Sequence, residues 1–240
     1  MCNKINITPK LTIEGEDRTL GAVLLGAPYS RKRESVMLPM IQQDIQSKPM
    51  MGVAVFDTDG IPTQAAARCA RESGRPYVLL DPRMEWCPFF NPLIGDENEV
   101  FEDLRTVVSE YLPDLSPSLR ALNESLLSNA IKVLKRLDKA EGVNGRYATF
   151  INMNTVLQNP SQDGRKLVIR FGQLKGETDA EQKENSDIAS WFINEYYAER
   201  SKPFEQTACL RLLLGKLISE PHLRTVPVSY THLRAHETPE

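Results

Sequence analysis

Every apolar repeat after Asn91-Pro92-Leu93 has helical spacing, whereas the residues before that break alternate short apolar runs with helical ones. Residues 22–25 (AVLL), 51–57 (MGVAVFD) and 77–80 (YVLL) read as buried strands, and the Ala-rich stretch 62–73 between the last two reads as a helix. Strands alternating with helices predict an α/β fold with a parallel sheet and crossover helices. In such sheets ligands bind beyond the carboxyl ends of the strands, which is where Gly26 and Asp57 fall. The second part predicts helices alone. Val100, Phe101, Leu104, Val107, Val108, Tyr111 and Leu112 line one helix face behind an acidic start at Asp96, Glu97 and Glu99. A second helix follows Ser116-Pro117, with Leu119, Leu122, Leu126, Ala130, Val133, Leu134 and Leu137 in register. Further helices are expected at 150–157, 182–197 and 204–218.

The most suggestive chemistry lies at 20–39, LGAVLLGAPYSRKRESVMLP, which has the order strand, loop, helix. In a phosphate loop of the form GxxxxGK[ST], backbone N–H groups cradle phosphate at a helix N-terminus, the Lys reaches the β/γ oxygens and the last hydroxyl holds Mg²⁺. Gly26 and Lys32 have the required separation, but Arg31 replaces the second Gly and Arg33 the hydroxyl residue. Arg binds phosphate well yet cannot coordinate a metal. Ser35 has a hydroxyl, but three positions after Lys32 it points elsewhere on the helix.

A net charge of −3 excludes a globally basic nucleic-acid binder, so any such surface must be local. Cys2, Cys69, Cys87 and Cys209 are scattered without a CxxC pair and read as free thiols in a reducing compartment. No run approaches the roughly 20 apolar residues of a membrane span, and no signal peptide is evident at the N-terminus.

In order and spacing, LLGAP (24–28), ESVMLPMIQQDI (34–45), GVAVFD (52–57), Gly60, the stretch 74–82 and FNPL (90–93) resemble conjugative coupling proteins of the TraG/TraD type. KVLKRLDKAEG (132–142), ENSDIASWFINEYY (184–197) and KLISEPHLR (216–224) extend the resemblance over nearly all of 10–225. These are hexameric P-loop ATPases that recruit DNA and pump it into type IV secretion channels from the cytoplasmic face of the bacterial membrane. The resemblance implies a partial RecA-like parallel sheet over 1–95, an inserted all-α domain over 96–227, and remaining strands that would follow, so the chain is expected to be an N-terminal piece of the cytoplasmic region. It assigns nucleotide binding to Gly26, Ala27, Pro28, Ser30, Lys32 and Asp57, with ATP and Mg²⁺ as cofactors. DNA, relaxosome proteins and the secretion channel would be partners, and the full-length protein a homo-hexamer. Departures from the family are Tyr29, Arg31, Arg33 and Asp59, the last where a Lys is usual. A module of the same family that docks DNA or relaxosome proteins without hydrolysis is the rival expectation.

Residues 228–238, VSYTHLRAHET, resemble one reading frame of a transposon-end sequencing adapter, so 228–240 are expected to be a non-native tail and His232 and His236 not to be a ligand pair. Lys132, Lys135, Arg136 and Lys139 form a basic stripe at i, i+3, i+4 and i+7, either a solvated face or a contact for DNA backbone or acidic partners. Trp191, Phe192, Tyr196 and Tyr197 are expected in the core, with stacking on single-stranded bases as the alternative.

Overall fold

A computed structural model describes residues 4–8, 10–14, 17–47, 51–84, 87–88, 90–158 and 162–219. The adapter-like tail and His222 lie outside the described residues. The chain divides into two compact units, Met1–Pro88 and Phe89–Glu240.

The expected parallel sheet is absent from the described residues. The chain is mostly helical, 61% helix, and its one sheet is an antiparallel hairpin of β1 (Ile5–Thr8) and β2 (Leu11–Ile13), with Ile5 opposite Ile13. This corrects the RecA-like α/β assignment. The runs at 22–25, 51–57 and 77–80 carry no strand pairing, and Val23, Leu25, Phe56 and Val78 stand 75–93% exposed. An apolar run reports a side-chain preference for burial; a parallel strand also needs neighbours on its edges and layers on both faces. Neither is formed around these runs among the described residues.

The N-terminal unit instead packs α1 (Leu38–Gln46) on α2 (Ile61–Glu72) through Ile41, Ile45, Ala66, Cys69 and Ala70. The Gln43 amide ties the hairpin to α1, accepting from the Asn6 N–H and donating to the Asn6 carbonyl, both at 2.9 Å. Arg75 closes the C-terminus of α1, its Nη1 donating to the carbonyls of Asp44 (3.1 Å) and Ile45 (2.9 Å), where a cation also complements the helix dipole.

Among its described residues the second unit forms helices and no strand: α3 (Glu97–Tyr111), α4 (Pro117–Glu141), α5 (Phe150–Leu157), α6 (Gln162–Gly172), α7 (Asp179–Trp191), α8 (Lys202–Gln206) and α9 (Ala208–Ser219). Asp96, Ser116, Thr149, Thr178 and Ser201 cap α3, α4, α5, α7 and α8 by accepting backbone N–H groups. Gly142, at φ 63°, ends α4 in the left-handed conformation that a residue with Cβ resists. Asp138 then shapes the connection to α5, accepting from the N–H groups of Gly145, Tyr147 and Ala148 at 2.8, 2.7 and 3.2 Å. The core runs along α4 from Leu126 to Leu137 and receives Met153, Val156 and Leu157 of α5, Val168 and Phe171 of α6, and Phe192, Tyr196 and Leu210. Tyr196 and Tyr197 are buried, as expected, and anchor their hydroxyls on the carbonyls of Leu157 (2.9 Å) and Val156 (2.6 Å).

Helix α6 has no counterpart among the sequence-based expectations because Gly164 in Asp163-Gly164 looks like a turn signal. Its glycine serves packing: a Cβ there would lie 2.3 Å from the Thr155 carbonyl oxygen of α5. Gly164→Ala is therefore expected to destabilise the helical unit by about 1–3 kcal/mol, outweighing a helix-propensity gain of up to about 1 kcal/mol. Gly215→Ala, at an open position of α9 with nothing within 4 Å, is expected to stabilise instead. Urea unfolding followed by far-UV circular dichroism measures both, and an unaltered midpoint for Gly164→Ala would refute the close approach.

Candidate phosphate-loop site

From Gly26 to Lys32 the backbone folds over its own lysine. The Ser30 N–H donates to the Ala27 carbonyl (3.2 Å), and Lys32 Nζ donates to the carbonyls of Gly26 (3.0 Å) and Ala27 (3.4 Å). The side chains of Ser30 and Lys32 close over Gly26, where a Cβ would sit 2.7 Å from Ser30 Oγ and 3.3 Å from Lys32 Cδ, and these side chains would have to shift to admit one. Tyr29 and Arg31 take φ of 64° and 53°, on either side of Ser30. Alternating left- and right-handed residues can turn successive N–H groups towards an anion, but here the Ser30 N–H is already given to Ala27. Arg31 thus keeps the backbone conformation for which the motif uses glycine. Pro28 and Ser30 lie on the exposed loop, and a π-helical turn, Arg33–Met37, leads directly into α1.

Two of the departures from the family pattern meet. Arg33 Nη1 lies 2.7 Å from Asp59 Oδ2, so the arginine in the hydroxyl position is paired with the aspartate in the lysine position. The position after Lys32 has no hydroxyl to offer a magnesium ion, and Lys32 itself is occupied by the Gly26 and Ala27 carbonyls. Among the described residues no cluster of His, Cys, Asp and Glu could hold a metal.

Asp57 is engaged in structure. It accepts from the Gly60 N–H, from the Thr63 N–H (2.7 Å) and from the Thr63 hydroxyl (2.5 Å), fixing the start of α2, where Gly60 has φ 82°. The Thr63 hydroxyl above all, against the opposing effect of burial and with help from the Thr63 and Gly60 amides and the charge of Arg33, holds its carboxyl below the usual carboxylate range. Beside it, Arg83 pairs with Asp81 at 2.8 Å and packs against the open face of Gly60. Thr63 and Arg83 are site residues that the motif reading missed; the DTDGIPT string, an Asp ahead of Gly, Pro and Thr at a helix start, carries the signal for Thr63.

Compared with protein-family models, curated proteins and solved structures, the chain matches none. The site is therefore read from its own residues.

The basic stripe of α4 faces carboxylates and carbonyls of its own unit. Lys132 pairs with Glu184 at 2.5 Å, Lys139 with Glu177 at 2.9 Å, and Lys135 donates to the carbonyls of Leu93 (3.1 Å) and Gly95. Arg136 reaches Glu97 (3.1 Å), Glu184 (2.7 Å) and Asn185 Oδ1 (2.6 Å), joining α3 and α7 to α4. The Lys132 hydrogen bond, opposed by burial and aided by Arg136, keeps Glu184 below the usual carboxylate range. No helix among the described residues is long and apolar enough to cross a membrane.

Since a left-handed conformation costs a residue with Cβ roughly 1–2 kcal/mol and glycine gives back part of that in chain entropy, Arg31→Gly is expected to stabilise the N-terminal unit by about 0.5–1 kcal/mol. Hydrogen-exchange protection of the α1 amides reads it, and lower protection would contradict the φ assigned to Arg31. Asp57 supplies a second expectation with a definite sign. Its folded pKa lies below the unfolded value of about 3.9, so its contribution is complete above that value and lost as pH falls through the folded one. The stability gap between wild type and Asp57→Asn should shrink from about pH 6 to about pH 3 in urea titrations.

Proposed function

We propose that this chain serves conjugative DNA transfer as a piece of a coupling protein of the TraG/TraD type, with the loop at Gly26, Ala27, Pro28, Ser30 and Lys32 contacting phosphate. The observation that carries this reading is the loop itself: Lys32 held within 3.4 Å of the Gly26 and Ala27 carbonyls, beneath left-handed Tyr29 and Arg31 and ahead of a helix. In the whole protein, a ring of subunits at the cytoplasmic face of the bacterial membrane would couple ATP and Mg²⁺ to passage of DNA into the secretion channel. The helical unit would meet DNA or relaxosome proteins there. ATP supplies a phosphoryl group for transfer to water; the residues of this chain bind and orient its phosphates. Lys32 would leave the loop carbonyls for phosphate oxygens, and the N–H groups of 29, 31 and 32 would approach the same oxygens.

The Arg33–Asp59 pair favours the docking reading over hydrolysis in this chain. An arginine fixed by a carboxylate at 2.7 Å replaces the group that would hold Mg²⁺, and a phosphate must compete with Asp59 for it. The phosphate contact then survives as a positioning element without turnover.

Titration with a fluorescent ATP analogue at low salt tests the loop. Wild type is expected to bind weakly, Lys32→Ala to lose about tenfold or more, and Arg31→Gly with Arg33→Thr to gain about tenfold. Equal binding by wild type and Lys32→Ala would overturn the phosphate assignment. In the full-length protein, which supplies the strands expected beyond this piece, DNA-stimulated phosphate release by the double variant, with none by wild type, would favour a decayed motor; release by neither favours docking.

A further inference from the structure

The helical unit carries a cleft of about 580 Å³ between the 143–149 connection, α5 and α6, at residues that the loop reading does not involve. That volume lies within the roughly 300–1,000 Å³ of small-molecule sites. Its walls divide by chemistry. Half-buried Ile151 and Leu167 supply apolar surface; Asn152 and Thr155 supply an amide and a hydroxyl that already donate to backbone carbonyls; Arg146, Lys166 and Arg170 stand exposed at the rim together with the carboxylate of Asp163. The guanidinium carbons of Arg146 and Arg170 lie 5.5 and 5.4 Å from the centroid of the Tyr147 ring.

Each rim cation has a carboxylate partner and keeps N–H donors to spare. Glu141 accepts from the Tyr147 hydroxyl (2.7 Å), from Arg146 Nη1 (3.1 Å) and from Arg170, so one carboxylate serves two guanidinium groups. Lys166 has Asp163 at 2.9 Å, with both side chains more than 70% exposed, a pairing that solvent makes weak. Each guanidinium offers five N–H donors, of which Arg146 gives one to Glu141 and Arg170 gives two to Tyr147 and Glu141. Donors remain for an anion with several oxygens.

We propose that this cleft binds one nucleotide unit, its phosphate on Arg146, Lys166 and Arg170 and its base against Ile151, Leu167 and the Tyr147–arginine stack. A bare oxyanion would use the rim and leave the apolar wall unfilled; an apolar ligand would leave the cations unused. A nucleotide satisfies both, since aromatic rings and guanidinium planes stack bases and the rim charges meet the phosphate. The unit is either a free nucleotide or one residue of a single strand. The assignment stands apart from the loop at Lys32.

Fluorescence anisotropy of a labelled oligothymidylate on the full chain, competed by thymidine monophosphate, inorganic phosphate and polyglutamate, tests it. Binding is expected, with thymidine monophosphate competing better than inorganic phosphate or polyglutamate. Competition by the mononucleotide within about tenfold of the unlabelled oligomer identifies the free nucleotide as the ligand; a larger gap identifies the strand. Arg146→Gln with Arg170→Gln should weaken binding about tenfold, and Lys166→Gln, which leaves Glu141 and its partners intact, about threefold. Lys32→Ala should leave it unchanged, separating this cleft from the phosphate loop. No binding by wild type, polyglutamate competing as well as the mononucleotide, or unweakened binding by Lys166→Gln would each overturn the proposal. Should the double variant lose its helical circular dichroism, Lys166→Gln decides alone.

Discussion

The helical unit depends on one buried stripe. Along α4, Leu126, Leu127, Ala130, Ile131, Val133, Leu134 and Leu137 are each at most 1% exposed, so this helix has neighbours around most of its circumference and not along one seam only. Burying a single large aliphatic side chain contributes about 1.5–3 kcal/mol, and the other helices exist largely to supply the opposing surfaces. Arg136 lies on the remaining face, with its side chain only 12% exposed. A cation there needs partners, and Glu97 from α3 and Glu184 from α7 provide them. Removing either carboxylate would leave charge imperfectly paired at a packed junction, which costs more than the pair contributes when intact. The ions therefore fix which helices may sit beside α4, while the apolar stripe supplies the stability.

The N-terminal unit has nothing equivalent. Its buried cluster is Ile45, Cys69 and Ala70 with Ile41 and Ala66 beside it, mostly small side chains on two short helices. Polar contacts take over part of the work: the Gln43 amide on Asn6, Arg75 on the end of α1, and Arg18 with Asp44 at 2.6 Å. Such bonds each contribute about 1 kcal/mol net, so they orient elements better than they stabilise them. The apolar runs at 22–25, 51–57 and 77–80 remain the largest unspent resource of this unit. Their side chains are the kind that pack between layers, and here those of 52–57 and 77–80 line an open cleft of about 730 Å³ with Ala66, Ala67 and Ala70 of α2.

Helices were legible in the sequence where a local signal and a burial pattern agreed. Ser116-Pro117 opens α4, and of the residues read in register Leu126, Ala130, Val133, Leu134 and Leu137 are buried, Leu119 and Leu122 half-buried. Phe150–Leu157 likewise coincides with the expected span. Strands were not legible, because AVLL or YVLL states only that burial would be favourable, and pairing depends on segments remote in sequence. Helix α6 was hidden for the opposite reason: a glycine that packs against Thr155 is indistinguishable, in one sequence, from a glycine that turns. The basic stripe showed its spacing but not its partners, since Glu177 and Glu184 lie about 40–50 residues further on.

At the candidate site, the residues that looked like losses acquire meaning in pairs and in backbone angles. Taken alone, Arg31 removes a glycine and Arg33 a hydroxyl. In the fold, Arg31 holds the left-handed angle that glycine would take, and Arg33 meets Asp59, the other departure, at 2.7 Å. A loop whose shape persists under a costly side chain is held by its surroundings, here the lysine bonded to two of its carbonyls and the turn at Ser30. The Arg33–Asp59 pair is about 40% exposed on each side, so solvent screens it and its contribution to stability is small. Its consequence is local instead. An anion arriving at Lys32 finds Arg33 already neutralised, and must gain more from the backbone N–H groups than from a second cation. For the proposed phosphate contact, the backbone angles at Tyr29 and Arg31 are thus the property of this loop on which affinity would turn.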